Sequence, residues 1–160
     1  MISEVMVPAT NVEVELRDVR TGEVVGRSRT HNLVVTSGLN LVRDLLANSG
    51  RAPNCIALGT GNSATTMAMT ALEAEVYRGY MTRRELSSAS VRYQLFLDAA
   101  IPPGQPYTIQ EVGIFSGGSF YGSGTPSTGG TLFARAVLTP FTKDSLVTAT
   151  ITWDIPITKE

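Results

Sequence analysis

The sequence is short of the residues that carry chemistry at neutral pH. It has one histidine, His31, and one cysteine, Cys55. A Ser–His or Cys–His nucleophile would have to be built on His31. That residue stands in "RTHNLVV", at a strand entry, and is read as a polar loop or edge residue. A single cysteine excludes an intrachain disulfide and says little about redox compartment. In "NCIALG" it is read as a small buried hydrophobe. No HxH, HExxH or CxxC spacing occurs and the acids are scattered, so neither a zinc site nor a carboxylate metal set is expected. No cofactor is expected either.

Charge is also scarce. Charged residues make up 17% of the 160-residue chain and the net charge is −1. No basic field exists to hold nucleic acid or an anionic membrane. A surface short of charge points to cover by a partner or by copies of the same chain. Of 13 basic residues only Lys143 and Lys159 are lysines. Arginine suits planar interface contacts, and genomic base composition explains the bias equally well. No apolar run approaches the ~18 residues that a membrane helix needs. The start, "MISEVMVPAT", lacks the basic region of a secretory signal. The expectation is a soluble chain synthesised in the cytoplasm.

What is present is β-pattern. Apolar residues reach 42%, enough for a core. "NVEVELRD" alternates, with Val12, Val14 and Leu16 on one face, and "RTGE" turns it into a hairpin with "VVGRSRT". "HNLVV", "CIALG", "VRYQLFLD", "YTIQEVGIFS" and "TLFARAVL" read as further strands. The longest alternation closes the chain: Val147, Ala149, Ile151, Trp153, Ile155 and Ile157 on one face, threonines and Asp154 on the other. "AAIPPGQP" cannot hold a ladder, because its prolines lack donors.

One stretch changes period. Leu39, Val42, Leu45 and Leu46 fall on one helical face, which predicts a short helix over about residues 38–48. Thr36 or Ser37 is the expected cap and Gly50 the expected stop. "MTALEAEVYRG" reads either as a turn or two of helix or as an irregular connection, with propensity favouring helix. The fold expected is mainly β, an antiparallel sandwich or barrel with that one helix. Residues 1–10 are expected to form an extended arm and 11–160 a single β-rich domain.

Four groups are candidates for function. "IALGTGNS" resembles a nucleotide loop superficially, but the lysine of a P-loop is missing. Gly59 and Gly61 are read instead as turn glycines with access to positive φ. "EAEVYR" gathers Glu73, Glu75 and Arg78, read as a salt-linked segment with Val76 and Tyr77 packed inward. Trp153 could be a sugar platform, but it shares the parity of the aliphatic face. Glu111 falls on the parity of Ile109, Gly113 and Phe115, a core-directed face. A carboxylate there is costly unless it is paired. Arg78 is the expected partner, so Arg78 and Glu111 together are read as a structural clamp. No second titrating group accompanies Glu111 as an acid–base pair would require, and an enzyme is not expected.

Taken in order, "IALGTGNSATTMAMTALEAEVYR", "IPPGQPYTIQEVGIFSGG" and "GTLFARAVLTPFTKDSLVTATITWDI" resemble bacteriophage tail-collar and tail-fibre N-terminal proteins, over Asn32 to Ile157. The resemblance implies a non-catalytic structural role in the virion. It also implies fold roles for Gly59, Gly61, Glu75, Arg78, Glu111, Gly113, Phe115, Phe133 and Arg135. A tail fibre continues into a shaft, whereas this chain ends at Glu160. The expectation is therefore a collar, fibre-attachment or adaptor piece, with a capsid decoration protein as the alternative. Its expected partners are other virion proteins, either tail and collar components or the major capsid protein, and its own copies in a homo-oligomer. Ile2, Val5, Met6 and Val7 belong to a segment that reads either as an arm lying on a neighbour or as a frayed terminus. A host carbohydrate-binding module is a more distant alternative, which would need Trp153 or several tyrosines exposed.

Overall fold

The structure is a computed structural model and describes residues 10–118 and 129–157. The arm residues Ile2, Val5, Met6 and Val7, and most of the loop "GGSFYGSGTPSTGG", lie outside the described residues. Two five-stranded antiparallel sheets face each other. The first runs β2–β1–β10–β7–β6, from β1 (Asn11–Asp18), β2 (Val24–His31), β6 (Arg83–Leu86), β7 (Ser90–Leu97) and β10 (Val147–Pro156). The second runs β3–β9–β8–β4–β5, from β3 (Leu33–Val34), β4 (Cys55–Gly59), β5 (Glu75–Tyr80), β8 (Tyr107–Ser116) and β9 (Thr131–Lys143). One helix, α1 (Thr36–Leu46), follows β3. The fold is a sandwich of two sheets.

The alternating patterns place the core between the sheets. Val12 and Val14 from β1, Tyr93, Leu95 and Leu97 from β7, and Ala149, Ile151, Trp153 and Ile155 from β10 point inward. Ile56, Leu58, Val112, Ile114, Ala134 and Ala136 meet them from the second sheet. Each large side chain fully withdrawn from water contributes roughly 1.5–3 kcal/mol. Ile157, expected on this face, lies past the end of β10 and is exposed.

The second sheet is covered on its outer face as well. Cys55, Ala57, Phe115 and Leu132 form a smaller cluster there with Val35 and Leu72. The lid is the segment 60–74, which joins β4 to β5. This covered outer face accounts for the unbroken burial of β4: both sides of its short apolar run have something to pack against.

Several local expectations are corrected. "EVYRGY" forms strand β5 rather than helix, because the free edge of β4 offers it a ladder. Strand β6 has no apolar alternation and was not read as a strand; it pairs with β7 from Arg83 to Leu86. Strand β9 runs on past Leu138 through Pro140. Between the pairs Ile109–Phe141 and Glu111–Val137 it carries three residues against the single Gln110 of β8. Pro140 sits in that bulge, where a missing N–H breaks no ladder bond.

Helix α1 keeps its expected period but shows a different face. Gly38 and Leu41 are buried, while Val42, Leu45 and Leu46 are exposed. A Cβ on Gly38 would collide with the Phe133 carbonyl oxygen, so the bare side of the helix seats against β9. Neither Thr36 nor Ser37 caps the first turn. The Val35 N–H donates to the Phe133 carbonyl at 3.1 Å and the Thr36 N–H to the Met67 carbonyl at 2.9 Å. The Ser37 hydroxyl reaches the Leu132 carbonyl at 2.6 Å instead. The stop is Asn48, at φ 54°, not Gly50; asparagine tolerates the left-handed region.

Candidate functional site

The chemistry-bearing residues of the sequence converge on the outer face of the second sheet, beneath segment 60–74. The bulge opposite Pro140 separates Glu111 from Ile109 and turns it onto this face, with Gly113 and Phe115. Register then arranges two rows across the strands. One holds Arg78, Ala57, Gly113 and Arg135, and the other holds Glu75, Gly59, Glu111 and Val137.

Glu111 is 0% exposed and so is Arg135. The Arg135 Nε donates to Glu111 Oε2 at 2.8 Å. Three backbone N–H groups of the lid donate to the same carboxylate. Ala74 reaches Oε1 at 2.7 Å, Gly61 reaches Oε1 at 3.2 Å and Glu73 reaches Oε2 at 3.0 Å. Arg135 extends the grip: its Nη1 donates to the Ser63 carbonyl and to the Thr65 hydroxyl, both at 2.8 Å. Its Nη2 lies 3.7 Å from Glu73 Oε2. One buried ion pair therefore holds both ends of the lid, and satisfies backbone groups that a covered loop would otherwise leave bare.

The partner of Glu111 is thus Arg135 and not Arg78. Strand order gives the reason. Arg135 is on β9, next to β8, whereas Arg78 is on β5, beyond the intervening β4. Arg135 is thus the adjacent-strand neighbour, while Arg78, two strand spacings or roughly 9–10 Å away, is engaged elsewhere. Arg78 makes a second clamp of its own. Its Nη2 donates to Glu75 Oε1 at 2.7 Å and its Nη1 to the Gly129 carbonyl at 2.7 Å. The guanidinium lies 3.8 Å above the centre of the Phe115 ring, a cation–π contact. Between the two arginines sits Leu72. A Cβ on Gly113 would come within 2.8 Å of its Cδ2.

Gly59 and Gly61 are required here for space rather than for positive φ, since neither is left-handed. A Cβ on Gly59 would collide with Glu111 Oε1. A Cβ on Gly61 would lie 2.5 Å from the Glu73 Cβ and 2.8 Å from Glu111 Oε1. The glycines admit the carboxylate to the turn.

The remaining candidates are dispersed. Glu73 accepts from the Ser63 N–H at 2.9 Å, and that bond holds its carboxyl below the usual range. His31 is exposed at the end of edge strand β2. Cys55 is fully buried, and burial pushes its thiol up to about 11. Trp153 is 0% exposed, so it presents no platform. Lys143, which the sequence did not single out, is buried and donates to the Asp144 carbonyl at 2.8 Å. Burial lowers its pKa. Among the described residues no group of three or more His, Cys, Asp and Glu side chains could hold a metal ion. No helix among them is long and apolar enough to cross a membrane.

Chemically, Glu111 is engaged from four directions and has no contact with solvent. To take or give a proton it would first have to release the lid. The arrangement suits bracing of the lid at Glu111. Compared with family models, with curated proteins and with solved structures, the chain matches none.

Proposed function

We propose that this chain is a non-catalytic structural protein of a bacteriophage virion, a tail or collar component for fibre attachment or adaptor duty. On this reading it is made in the host cytoplasm and works by multivalent contact with other virion proteins and with its own copies. The order of its glycine turn, "EVYR", "EVGIF" and "LFAR" segments supports the virion class through resemblance. The Glu111–Arg135 clamp supports the non-catalytic part, since the best-placed acid is engaged in holding a loop.

The observation that carries the assembly reading is α1. Val42, Leu45 and Leu46 form an i, i+3, i+4 stripe, and Leu46 is 86% exposed. Such a stripe ordinarily faces a core. Here the core-facing side is taken by Gly38 and Leu41, and the stripe is left for a neighbouring copy. Each contact is small, and repetition around a symmetric assembly makes it strong. Light scattering over a concentration series tests this. The wild type is expected to form a discrete oligomer whose melting temperature rises with protein concentration, and Leu46→Glu is expected to give a folded monomer, with an unchanged circular dichroism spectrum, whose melting temperature does not. A ring of six or twelve copies fits the tail or collar, and a trimer moves the assignment to capsid decoration or a fibre-like element. A wild type that stays monomeric at every concentration contradicts the assembly reading.

A further inference from the structure

The outer face of the first sheet, opposite the clamps, carries a shallow trough of about 230 Å3. It runs across β2, β1, β10 and β7, and its walls are polar side chains of both signs. We infer that this trough is a binding site for a neutral oligosaccharide, with Phe96 as its stacking platform.

The side chains are fixed before any ligand arrives. Arg92 holds Asp154 through two bonds, Nε to Oδ1 at 2.8 Å and Nη2 to Oδ2 at 3.3 Å. The Gln94 amide donates to the Thr152 hydroxyl at 3.1 Å. Pre-set groups of this kind lose little freedom on binding. Arg29, which also lines the trough, has no hydrogen-bond or ion-pair partner among the described residues. Its register partner is Glu13, whose carboxylate leans instead to Arg27 at 3.8 Å. The trough therefore offers an unengaged guanidinium beside an acid.

That pairing selects the class of ligand. An anion drawn to Arg29 also meets Glu13, and a cation drawn to Glu13 also meets Arg29. A hydroxyl both donates and accepts, so a polyol can satisfy carboxylate, guanidinium, amide and threonine hydroxyl together. Phosphate chains are disfavoured by the acids in the middle of the face. A protein partner is disfavoured too, because the centre of a protein interface is depleted of charge.

Phe96 supplies the remaining element. It is 49% exposed on the same face, and its register partner on β10 is Thr150, which lines the trough. An open aromatic ring at the rim presents a negative face to the weakly positive C–H side of a pyranose. Trp153 is buried in the core as its parity predicts, and this ring is a different one on the opposite side of the sheet.

Saturation-transfer NMR on the full chain tests the site. The probes are maltotriose, cellotriose, mannotriose and triacetylchitotriose, with inorganic phosphate as the charged competitor, whose binding is read from the loss of the sugar signal. At least one trisaccharide is expected to bind with millimolar affinity. Phe96→Ala and Arg29→Ala should each weaken it ten-fold or more while leaving the melting temperature unchanged, since both side chains are exposed. The inference is overturned if no trisaccharide responds, if both variants bind as the wild type does, or if phosphate binds more tightly than every sugar. Self-association abolished by Arg29→Glu would also overturn it, by showing the face to be a contact between copies.

Discussion

Glu111 shows how a single residue can look reactive in sequence and be structural in three dimensions. Its four donors include an arginine as buried as itself, so removing the charge strands Arg135 away from water. Glu111→Gln is expected to cost about 3–5 kcal/mol in urea unfolding, the range for one partner lost from a buried pair. Arg92→Ala, which breaks the partly exposed pair with Asp154, should cost no more than about 1 kcal/mol. Gly61→Ala places a methyl against the Glu73 Cβ and Glu111 Oε1. It should lower stability by about 1–3 kcal/mol, as overpacking does, and circular dichroism melts will register it. That Glu111 needs a partner was legible from parity alone. Which arginine it takes was not, because the choice depends on strand order. "LFAR" nevertheless held the signal: an arginine embedded in an apolar strand is as costly as the glutamate, and the two costs cancel when they meet.

Helix α1 teaches the same point for a whole element. The spacing of Leu39, Val42, Leu45 and Leu46 gave the helix and its approximate length. Leu39 packs against the core as its spacing predicts, but Val42, Leu45 and Leu46 do not, because close approach of backbone to backbone outweighs side-chain hydrophobicity here. Only the side bearing Gly38 can reach the Phe133 carbonyl. Gly38→Ala should therefore destabilise by about 1–3 kcal/mol despite alanine's better helix propensity, whereas Leu46→Glu should remove only the concentration-dependent part of the stability, the part that association supplies. Strands with clean alternation, β1, β7 and β10, were legible, apart from Ile157 beyond the end of β10. Strands β5, β6 and the second half of β9 were not. Their registers come from neighbours and from the bulge that accommodates Pro140, neither of which is written in local periodicity.

At the scale of the whole molecule, the two faces of the sandwich divide the work. The second sheet is covered by its lid over Glu111 and Arg135, and the first presents an ion-paired surface to solvent. The acids of that division set the response to pH. Arg27 and Arg17 hold Glu15 below the usual carboxylate range, and the Ser63 N–H does the same for Glu73. The unfolded chain therefore binds protons before the native one does, and stability should fall as pH drops below about 4.5, the ordinary value for both. At the other end, the Cys55 thiol titrates near 9.0 when unfolded and about 11 when folded. Stability should decline as pH rises from the first value to the second, because the unfolded state sheds its proton first. Iodoacetamide should leave native Cys55 unlabelled at pH 8 and label it only after denaturation. The central claim is that the one acid placed for chemistry is a brace for the lid. Native-state amide exchange measures that brace directly. The Gly61, Glu73 and Ala74 amides should exchange only through global unfolding in the wild type, and through local opening in Glu111→Gln. Rapid exchange of those three amides in the wild type would contradict the account.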